Sequence, residues 1–372
     1  MIGLEQKEFM KAYNPKKSAI ICLAAGKSQE QIIIKAKSLG YLVAAVDKNP
    51  NAPGFKYVDI KICQSTYDAD AIIKELDLLK DVYQWVGILN RSSGPPVVTA
   101  AKLCEHFNIP GIPIESAQVL VNKDMLRVAC SKYDIPSPKY EIYNIDKCET
   151  VSCDEFPVVV KPALSLIGKS GISIVRSKKE LNSSIKYAIE NTINEKIVIE
   201  EFLEGPDLSL VSFVKDGKLC SICLLDEINI EKKNSTIAGK GFKIHPLDEN
   251  NWTLKSHKIA QRIIDTFRIE RSAFMVSFRA DSKGNLRLIE VHLDLGGDLL
   301  IEEIFPKAFS FDFLWLAVEM AAGNAECPNN FNIKPTAIFY DDGDELLTNR
   351  GYQVFTADSH QLLEEKILEA EI

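Results

Sequence analysis

A lysine at the end of an apolar run is the first residue of this 372-residue chain whose surroundings suggest chemistry. Lys161 follows the apolar residues 156–160, and a loop that contains Gly168 and Gly171 comes shortly after it. A strand that ends in a lysine beside a mobile loop rich in backbone N–H groups offers a site for phosphate. The competing interpretation is a lysine that extends its charge into solvent. This segment alone does not decide between the two.

Two GKS triplets resemble phosphate-binding motifs but lack the necessary glycines. They stand at 26–28 and 168–170, and the earlier glycine of a P-loop is replaced by Ile21 and Ala163, respectively. The first βα turn also fails as a dinucleotide fingerprint, because it has one glycine where three are needed. Asp47 could bind a ribose hydroxyl, but an acid at a strand end is common. We therefore interpret the N-terminal region as a scaffold.

The elements that must position Lys161 begin with a regular alternation in the first hundred residues. Short apolar runs, typical of buried strands, alternate with segments of helical spacing. The predicted strands are 18–24, 41–46, 58–62 and 85–89, and the predicted helices are 29–39, 68–79 and 96–107. This order predicts a parallel, doubly wound α/β sheet.

The rest of the chain has a different texture, in which strands are joined by turns. One helix is predicted over 116–133, before the proline-rich link 135–138, and another over 179–191. The predicted strands are 158–161, 172–175, 196–202, 208–214, 219–225, 273–279 and 286–291. The fold class is therefore a parallel α/β start followed by an α+β region.

The composition excludes several classes of protein. Hydrophobic residues make up 46% and charged residues 26%, as in ordinary soluble globular proteins. The 44 Lys and Arg against 52 Asp and Glu give a formal charge of −8, which argues against nucleic-acid and anionic-membrane partners. No apolar stretch approaches the length of a membrane span, and the N-terminus lacks a signal-peptide core, so we expect a cytoplasmic protein.

The nine cysteines fit a reducing compartment better than a disulfide framework, since their number is odd and they are scattered. Cys220 and Cys223 form the one close pair. If residues 219–225 are a strand, their odd spacing predicts that the two thiols lie on opposite faces. No second pair or nearby histidine completes a zinc site.

The order of the motifs resembles the ATP-grasp superfamily, the fold of carbamoyl phosphate synthase, biotin carboxylase and many carboxylate–amine ligases. The Lys-Pro strand before a glycine-rich lid matches, and EEFLEGPD at 200–207 resembles the family's adenosine-clamping hinge "E-E-F-x-E-G-x-E". Residues 122–124 with Arg127 look like the family's first nucleotide-binding helix. Glu290 with the glycines at 296–297 resembles its metal-binding strand.

The resemblance extends from about residue 18 to 325 and implies three structural parts. The expected ATP-grasp fold has an N-terminal Rossmann-like parallel α/β domain, a small lid subdomain and a C-terminal antiparallel sheet subdomain. The predicted boundaries are 1–117 for the N-terminal domain, 118–325 for the ATP-grasp domain with its lid at about 157–197, and 326–372 for a short segment that packs back on the core.

The resemblance also implies a role for each matching residue. Lys123 and Lys161 would contact the phosphates of ATP, and the loop 165–171 would close over them. The hinge would reach the adenine edge mainly through backbone groups, Asp207 would bind the ribose, and His245 stands in a loop that approaches the nucleotide in relatives. The predicted nucleotide-binding residues are Lys123, Lys161, Ser165, Gly168, Lys169, Gly171, Glu200, Glu201, Phe202, Asp207 and His245.

The chain departs from the family at the metal-binding strand, where the usual pattern is E-x-N-x-R. Residues 290–294 read EVHLD, so His292 replaces Asn and Asp294 replaces Arg. Ser277, on the preceding strand, stands where relatives carry an acid or Gln. Glu290 would coordinate Mg²⁺, with Mn²⁺ as the other candidate because an imidazole suits a softer ion. The predicted metal ligands are Glu290, His292 and Ser277, with Asp294 or Asp298 as a further source of oxygen.

Because the usual arginine is absent, another group must stabilise the transferring phosphoryl group. We predict Arg279 for this role, with Lys161 as the second catalytic residue. Arg287 is less favoured, because its odd offset from Glu290 places it on the other face of a regular strand. Arg91 is a plausible carboxylate anchor, since its planar fork matches that group, although a loop arginine is more often solvated.

The resemblance implies an ATP-dependent carboxylate–amine ligase. ATP would phosphorylate a carboxylate, and an amine would attack the acyl phosphate to form an amide. Two alternatives stay open. One is nucleotide binding without turnover, suggested by Ser277, His292 and Asp294, and the other is carboxylation through carboxyphosphate. The expected partners are a small-molecule carboxylate and amine, and a homodimer is common among relatives.

Overall fold

The computed structural model of this protein describes residues 17–151, 153–165, 168–232, 235–245, 251–297, 299–329, 332–341 and 350–370. Within these ranges the strands form three sheets. One is parallel and two are antiparallel, which confirms the mixed fold class. None of the helices in the described ranges combines the length and apolar character that crossing a bilayer requires.

The N-terminal sheet is parallel, as predicted, and has the strand order β3-β2-β1-β4. Its strands are β1 (Lys17–Leu23), β2 (Leu42–Val46), β3 (Ile60–Ile62) and β4 (Tyr83–Asn90), and its helices are α1 (Glu30–Ser38), α2 (Ala69–Asp77) and α3 (Pro95–Phe107). The apolar strand residues are buried on both faces, as in doubly wound folds. Strand order reverses beside β1, and such a switch point leaves a crevice at the carboxyl ends of the strands.

Two helices occupy the segment where the sequence predicted one helix over 116–133, so that prediction is wrong. They are α4 (Ile114–Val121) and α5 (Lys123–Lys132). Asn122 separates them with an extended backbone, φ −102° and ψ 115°. The next amide, of Lys123, donates to the carbonyl of Ala163 at 2.9 Å instead of continuing a helix. The break therefore attaches the start of α5 to the strand that carries Lys161.

The second sheet is antiparallel, with the order β5-β8-β6-β7. Its strands are β5 (Tyr140–Asn144), β6 (Val158–Pro162), β7 (Ser173–Val175) and β8 (Lys196–Glu201), and helix α6 (Lys178–Asn191) follows β7. Leu181, Ile185 and Ala188 of α6 are buried in one core with Val160 and Ile197 of the sheet. This packing places the end of β6 and the end of β8 side by side.

The third sheet is antiparallel, with the order β13-β12-β9-β10-β11-β14-β15. Its strands are β9 (Asp207–Lys215), β10 (Lys218–Glu231), β11 (Ile237–His245), β12 (Arg271–Ala280), β13 (Leu286–His292), β14 (Thr336–Tyr340) and β15 (Tyr352–Thr356). The helices are α7 (Asn251–Phe267), α8 (Phe305–Ala308), α9 (Phe313–Ala322) and α10 (His360–Glu369). The sequence analysis missed β5, β11, β14, β15 and these four helices. The domain boundaries stay predictions.

A β-bulge makes the prediction for Cys220 and Cys223 wrong. The register of β10 against β9 shifts between Ser221 and Cys223, so an extra residue interrupts the alternation of side chains. Both cysteines therefore pack in the same hydrophobic core. Cys220 is joined by a disulfide to Cys327, with Cα atoms 5.4 Å apart, and the other cysteines in the described ranges are free.

A second bulge reverses the expected orientation of Arg287. Ser277 pairs with Glu290 while its neighbour Phe278 pairs with Leu288, so Ile289 is the extra residue. Leu288 and Val291 lie three positions apart and yet share one core, which puts Arg287 and Glu290 together on the opposite face. The argument that assumed a regular strand is therefore wrong.

Candidate functional site

Three charged side chains meet in the interior where α5, β6 and β8 adjoin. Lys161 Nζ lies 2.8 Å from Glu200 Oε2, and Arg127 Nε lies 2.7 Å from Glu200 Oε1. The exposed fractions of the Arg127, Lys161 and Glu200 side chains are 0%, 3% and 3%. We call these three residues the buried ion cluster. Lys161 is therefore not a solvated strand-end lysine.

The electrostatics of the buried ion cluster follow from burial and mutual charge. Burial lowers the pKa of Lys161 to about 8, although Glu200 partly opposes the shift. Burial would raise the pKa of Glu200, but Arg127 and Lys161 outweigh it and hold that pKa below its ordinary value. Glu200 is thus ionised, and Lys161 carries a charge that can be lost in the mildly alkaline range.

Arg127 also connects the buried ion cluster to the third sheet. Its Nη2 donates to the carbonyl of Ile289 at 2.9 Å, which is the bulged residue of β13. Its Nη1 is buried and has no hydrogen-bond partner among the residues that the structure describes. The sequence analysis named Arg127 only as part of a motif. A fully buried arginine must be paired. In the sequence, the signal for such a role of Arg127 was its spacing from Lys123 along one helix.

Glu290 lies next to the buried ion cluster at the end of β13. Lys123 Nζ is 3.2 Å from Glu290 Oε1, and His292 Nε2 is 3.6 Å from Glu290 Oε2. Burial would raise the pKa of Glu290, but Lys123, His292 and Lys161 together lower it to about 2. The structure thus brings Lys123, Lys161, Glu290 and His292 together, as the sequence-based site requires.

Ser277 contacts a carboxylate that the sequence analysis missed. Its hydroxyl donates to Glu227 Oε1 at 3.2 Å, and Ser209 lies 2.8 Å from Ser277 and also contacts that oxygen. Lys169 and His292 help to lower the pKa of Glu227, against the effect of burial. Glu227 belongs to β10, which extends beyond the predicted end of that strand at residue 225. The sequence therefore could not show which face of the sheet Glu227 occupies or which residues it contacts.

The residues present fit a hard divalent cation bound together with phosphate. Within the described ranges, no three His, Cys, Asp or Glu side chains are grouped closely enough to form a metal cage by themselves. Mg²⁺ is commonly held by one or two carboxylates plus the oxygens of phosphates and waters. The ionised Glu290 meets that requirement, with His292 and Glu227 beside it. Asp298, the other predicted oxygen source, lies outside the described residues.

The glycine loop after β6 approaches β10. Lys169 Nζ donates to Asn229 Oδ1 at 2.6 Å and lies 3.6 Å from Glu227 Oε2. Gly171 has φ +78°, and a Cβ atom there would come within 2.7 Å of Asn191 Cβ, so the turn requires glycine. Gly168 has open space around it, and residues 166–167 of the predicted loop lie outside the described ranges.

The predicted hinge carries its own polar contacts. Arg279 lies over the ring of Phe202, 4.5 Å from the ring centroid, and its Nε is 3.5 Å from Asp207 Oδ1. Asn229 Nδ2 donates to the other oxygen of Asp207 at 3.0 Å. Burial raises the pKa of Asp207, although Arg279 opposes the shift. These contacts place Arg279 at the hinge. Its role in stabilising the transferring phosphoryl group stays a prediction.

The remaining predicted residues have contacts of different kinds. Glu201 Oε1 accepts from the amide of Lys139 at 2.9 Å, which ties the hinge to the link before β5. Ser165 lies near the loop after β4, since a Cβ on Gly94 would be 4.0 Å from its carbonyl oxygen. The backbone of His245 ends β11, and its side chain lies outside the described residues. Ser165 thus lies beside the loop after β4, and Glu201 lies beside the link before β5.

Asp47 and Arg91, two charged residues of the N-terminal domain that were considered above, have partners within the chain. Asp47 accepts from the amides of Ala25 and Asn49, both at 2.9 Å, and so organises the loops after β1 and β2. Arg91 is buried, and its Nη1 lies 2.6 Å from Glu302 Oε1. Arg91 therefore differs from most loop arginines, which are solvated.

Comparison with known proteins agrees with this geometry. Residues 121–274 match the family model described as "Phosphoribosylglycinamide synthetase, ATP-grasp (A) domain". The formate-dependent phosphoribosylglycinamide formyltransferase of Prochlorococcus marinus is 29% identical over 195 residues, which cover 51% of this chain and 48% of that protein. The protein of the same description from Trichormus variabilis is 31% identical over 193 residues, or 50% and 47% of the two chains. The chain thus matches about half the length of these curated relatives.

Solved structures resemble the chain over almost its whole length. The L-amino acid ligase from Bacillus licheniformis has a TM-score of 0.74 at 16% identity and covers 96% of this chain and 97% of its own. The N5-carboxyaminoimidazole synthetase from Staphylococcus aureus, complexed with ADP, has a TM-score of 0.73 at 16% identity and covers 96% and 98%.

The fold and the matched domain together define the class of this protein. Three sheets in this arrangement and the match over residues 121–274 confirm the ATP-grasp resemblance deduced from the motifs. Residues 121–274 are thus similar to an ATP-grasp domain, and the chain has the ATP-grasp fold.

Proposed function

We propose that this chain is an ATP-dependent carboxylate–amine ligase that forms an amide through an acyl phosphate. The observation that carries the proposal is that Lys123 pairs with Glu290 close to the Lys161–Glu200 pair, while Lys169 of the glycine loop contacts Asn229 of the third sheet. Two lysines suit the phosphates of ATP, and an ionised carboxylate suits Mg²⁺ or Mn²⁺. The ATP-grasp class and its ATP- and ADP-bound members support this assignment.

In the proposed reaction, a carboxylate oxygen of the first substrate attacks the γ-phosphorus of ATP, and ADP leaves. Lys161 and Lys123 would hold the phosphates and offset the negative charge that develops during transfer. A divalent ion on Glu290 would neutralise phosphate oxygens. The amine then attacks the acyl carbon, the bond to phosphate breaks, and phosphate leaves with the bonding electrons while the nitrogen loses a proton.

Relatives suggest the size of the substrates. Similar proteins are named for formate, an L-amino acid and a ribonucleotide, which are all small molecules. We propose that this chain also takes a small carboxylate and a small amine. The cytoplasmic location and a homodimer stay predictions from sequence.

The direct test is the release of ADP and phosphate with a panel of carboxylates, each with and without amines. We expect turnover that needs both substrates and is abolished in Lys161→Ala. Lys186→Ala is the matched control, because that side chain is 79% exposed on α6. Absence of turnover across the panel, with Lys161→Ala indistinguishable from the unmodified chain, would contradict the proposal. Turnover that depends on bicarbonate instead of an amine would assign carboxylation.

A second candidate function is nucleotide binding without turnover, and the departures at the metal strand favour it. Ser277, His292 and Asp294 of this chain depart from the residues that the family resemblance predicts at these positions. Titration calorimetry with ATP separates the two candidates. Binding that strengthens with Mg²⁺ favours the ligase, and tight binding that ignores Mg²⁺ favours the second candidate.

A further inference from the structure

The turn after β13 holds a buried carboxylate with one oxygen unused. Asp294 is only 4% exposed, and its Oδ1 accepts from the amide of Gly296 at 2.8 Å. Its Oδ2 is buried and has no hydrogen-bond partner in the part of the chain that the structure describes. A buried charged oxygen without a partner is costly, so this atom requires a donor that the described chain does not supply.

A second buried carboxylate, further along the chain, also has an oxygen without a partner among the described residues. Glu302 lies in the π-helical turn Leu300–Ile304, and its Oε1 is 2.6 Å from Arg91 Nη1. Its Oε2 is buried and also lacks a partner among the described residues. Two unpartnered carboxylate oxygens on one short segment indicate a missing donor rather than an isolated packing defect.

Arg91 cannot satisfy both oxygens, because its other donors have partners. Its Nε and Nη2 lie 3.4 and 3.3 Å from the carbonyl oxygen of Gly296, and its Nη1 also contacts the carbonyl of Ser28. Arg91 thus pairs with Glu302, and among the described residues Asp294 has no cationic partner. A group with one positive charge and several N–H donors would balance the site, and an ammonium has both properties.

The site lies where a second substrate could meet the acyl phosphate. Arg91 follows β4 and Ser28 follows β1, so both stand at the carboxyl ends that flank the switch point of the parallel sheet. The amide of Leu295 donates to the carbonyl of Asn90 at 3.1 Å, which joins this crevice to the end of β13. Asp294 is four residues from Glu290 along that segment.

Asp294 also inverts the charge of its position. The ATP-grasp pattern has an arginine there, and an arginine would attract an anion. A carboxylate at the same place repels an anion and attracts a cation. The change of sign therefore bears on which ligand the crevice accepts.

We propose that Asp294 and Glu302 bind the amine substrate as its ammonium ion, which loses a proton to water before the nitrogen attacks the acyl carbon. This inference rests on the proposed ligase function and specifies its second substrate as a cation. Asp294 and Glu302 are specificity-determining residues in this view, and Arg91 positions them through Glu302 and Gly296.

A crystallographic test does not require turnover. Crystals of the full chain are soaked in rubidium chloride, because Rb⁺ is close to ammonium in size and gives an anomalous signal. We expect an anomalous peak in contact with Asp294 Oδ2 and Glu302 Oε2. The peak should be lost in Asp294→Asn and kept in Glu303→Gln, whose carboxylate instead pairs with Lys307 at 2.6 Å. A water alone at this place, or a peak that persists in Asp294→Asn as an adventitious ion only, would overturn the inference.

A kinetic test uses the carboxylate and amine pair that gives the fastest ADP release. Asp294→Asn and Glu302→Gln should each raise KM for the amine about 10- to 100-fold, the loss expected for a charged hydrogen bond. KM for ATP should stay unchanged, and Glu303→Gln should behave like the unmodified chain. A purely structural role would instead alter both KM values and kcat together, and an unchanged KM for the amine would contradict the inference.

The two proposals fail in different ways. If no pair gives turnover, the ligase proposal fails, and the rubidium experiment still decides whether the crevice binds a cation. If turnover occurs but a neutral or anionic acceptor is preferred, the ligase proposal stands and the inference about Asp294 and Glu302 is wrong.

Discussion

Two groups of charged side chains in this protein differ in how far they are removed from solvent. The buried ion cluster of Arg127, Lys161 and Glu200 is almost wholly removed from solvent. The second group, which we call the lid-facing cluster, consists of Lys169, Asp207, Glu227 and Arg279, with the neutral Asn229 hydrogen-bonded to Lys169 and Asp207. Its Lys169 and Arg279 side chains are 32% and 21% exposed.

The difference in burial between the two clusters implies that they have different roles. Charges removed from water must keep their partners, because an unpaired charge in the interior is costly. The buried ion cluster therefore fixes the position of Lys161 and joins three elements. Partly exposed charges can exchange a protein partner for water at little cost. The lid-facing cluster is thus suited to contacts that can be exchanged for contacts with water.

The largest expected effect is on stability in the buried ion cluster. Glu200→Gln leaves Lys161 and Arg127 without their anion, and we expect a loss of about 3–5 kcal/mol in the free energy of unfolding. Urea denaturation measures it. Glu201→Gln is the matched control, because that neighbour accepts one exposed backbone hydrogen bond. A loss from Glu200→Gln no larger than that of the control would remove the contrast between the two clusters.

The next effect is a pH dependence that arises from burial of Lys161. Because burial lowers the pKa of Lys161 to about 8, the ammonium is present below that pH and is lost above it. We expect kcat/KM for ATP to fall as the pH rises through about 8, since this ratio reports groups of the free enzyme. In Lys161→Arg the charge persists, so this alkaline limb should disappear. An identical profile in the variant would assign the limb to another group.

The smallest effect is expected from the lid-facing cluster. Lys169→Ala removes a partly exposed pair with Glu227, so the free energy of unfolding should fall by only about 0–1 kcal/mol. The affinity for ATP should fall more clearly, because the lysine faces the cleft from the loop. Urea denaturation and titration calorimetry measure the two quantities. Lys186→Ala, from an exposed pair with Glu190, is the control that should change neither. A large loss of stability in Lys169→Ala would place both clusters in one class.

The sequence predicted most of the residues that the cleft brings together. Lys161 and Glu290 stood out because motif order is a linear property, and the ATP-grasp fold then followed from several motifs in succession. Glu227 and Glu302 were missed, since neither stands in a motif. Their significance comes from contacts with Ser277 and Arg91, which lie 50 and 211 residues away along the chain.

Side-chain orientation was the least predictable property. Alternation along a regular strand predicted that Cys220 and Cys223 lie on opposite faces of the sheet, and predicted the same for Arg287 and Glu290. One bulge in each strand puts both pairs on a common face. A bulge is a feature of strand pairing, so no single strand's sequence reveals it reliably. In β13 the bulged carbonyl is bound by Arg127 from a distant helix.

The sequence by itself determined the class of fold and predicted the lysines for phosphate and the acid for a metal ion, because these predictions depend on residue type and order. Only the tertiary structure decided which charges are buried and paired, which oxygens lack a donor, and which face each strand presents. The physical reason is that burial and pairing are set by neighbours far apart in the chain. A lysine is usually a surface residue, but in the folded chain Lys161 is buried beside Glu200 and Arg127, and this burial lowers its pKa to about 8 although Glu200 opposes the shift.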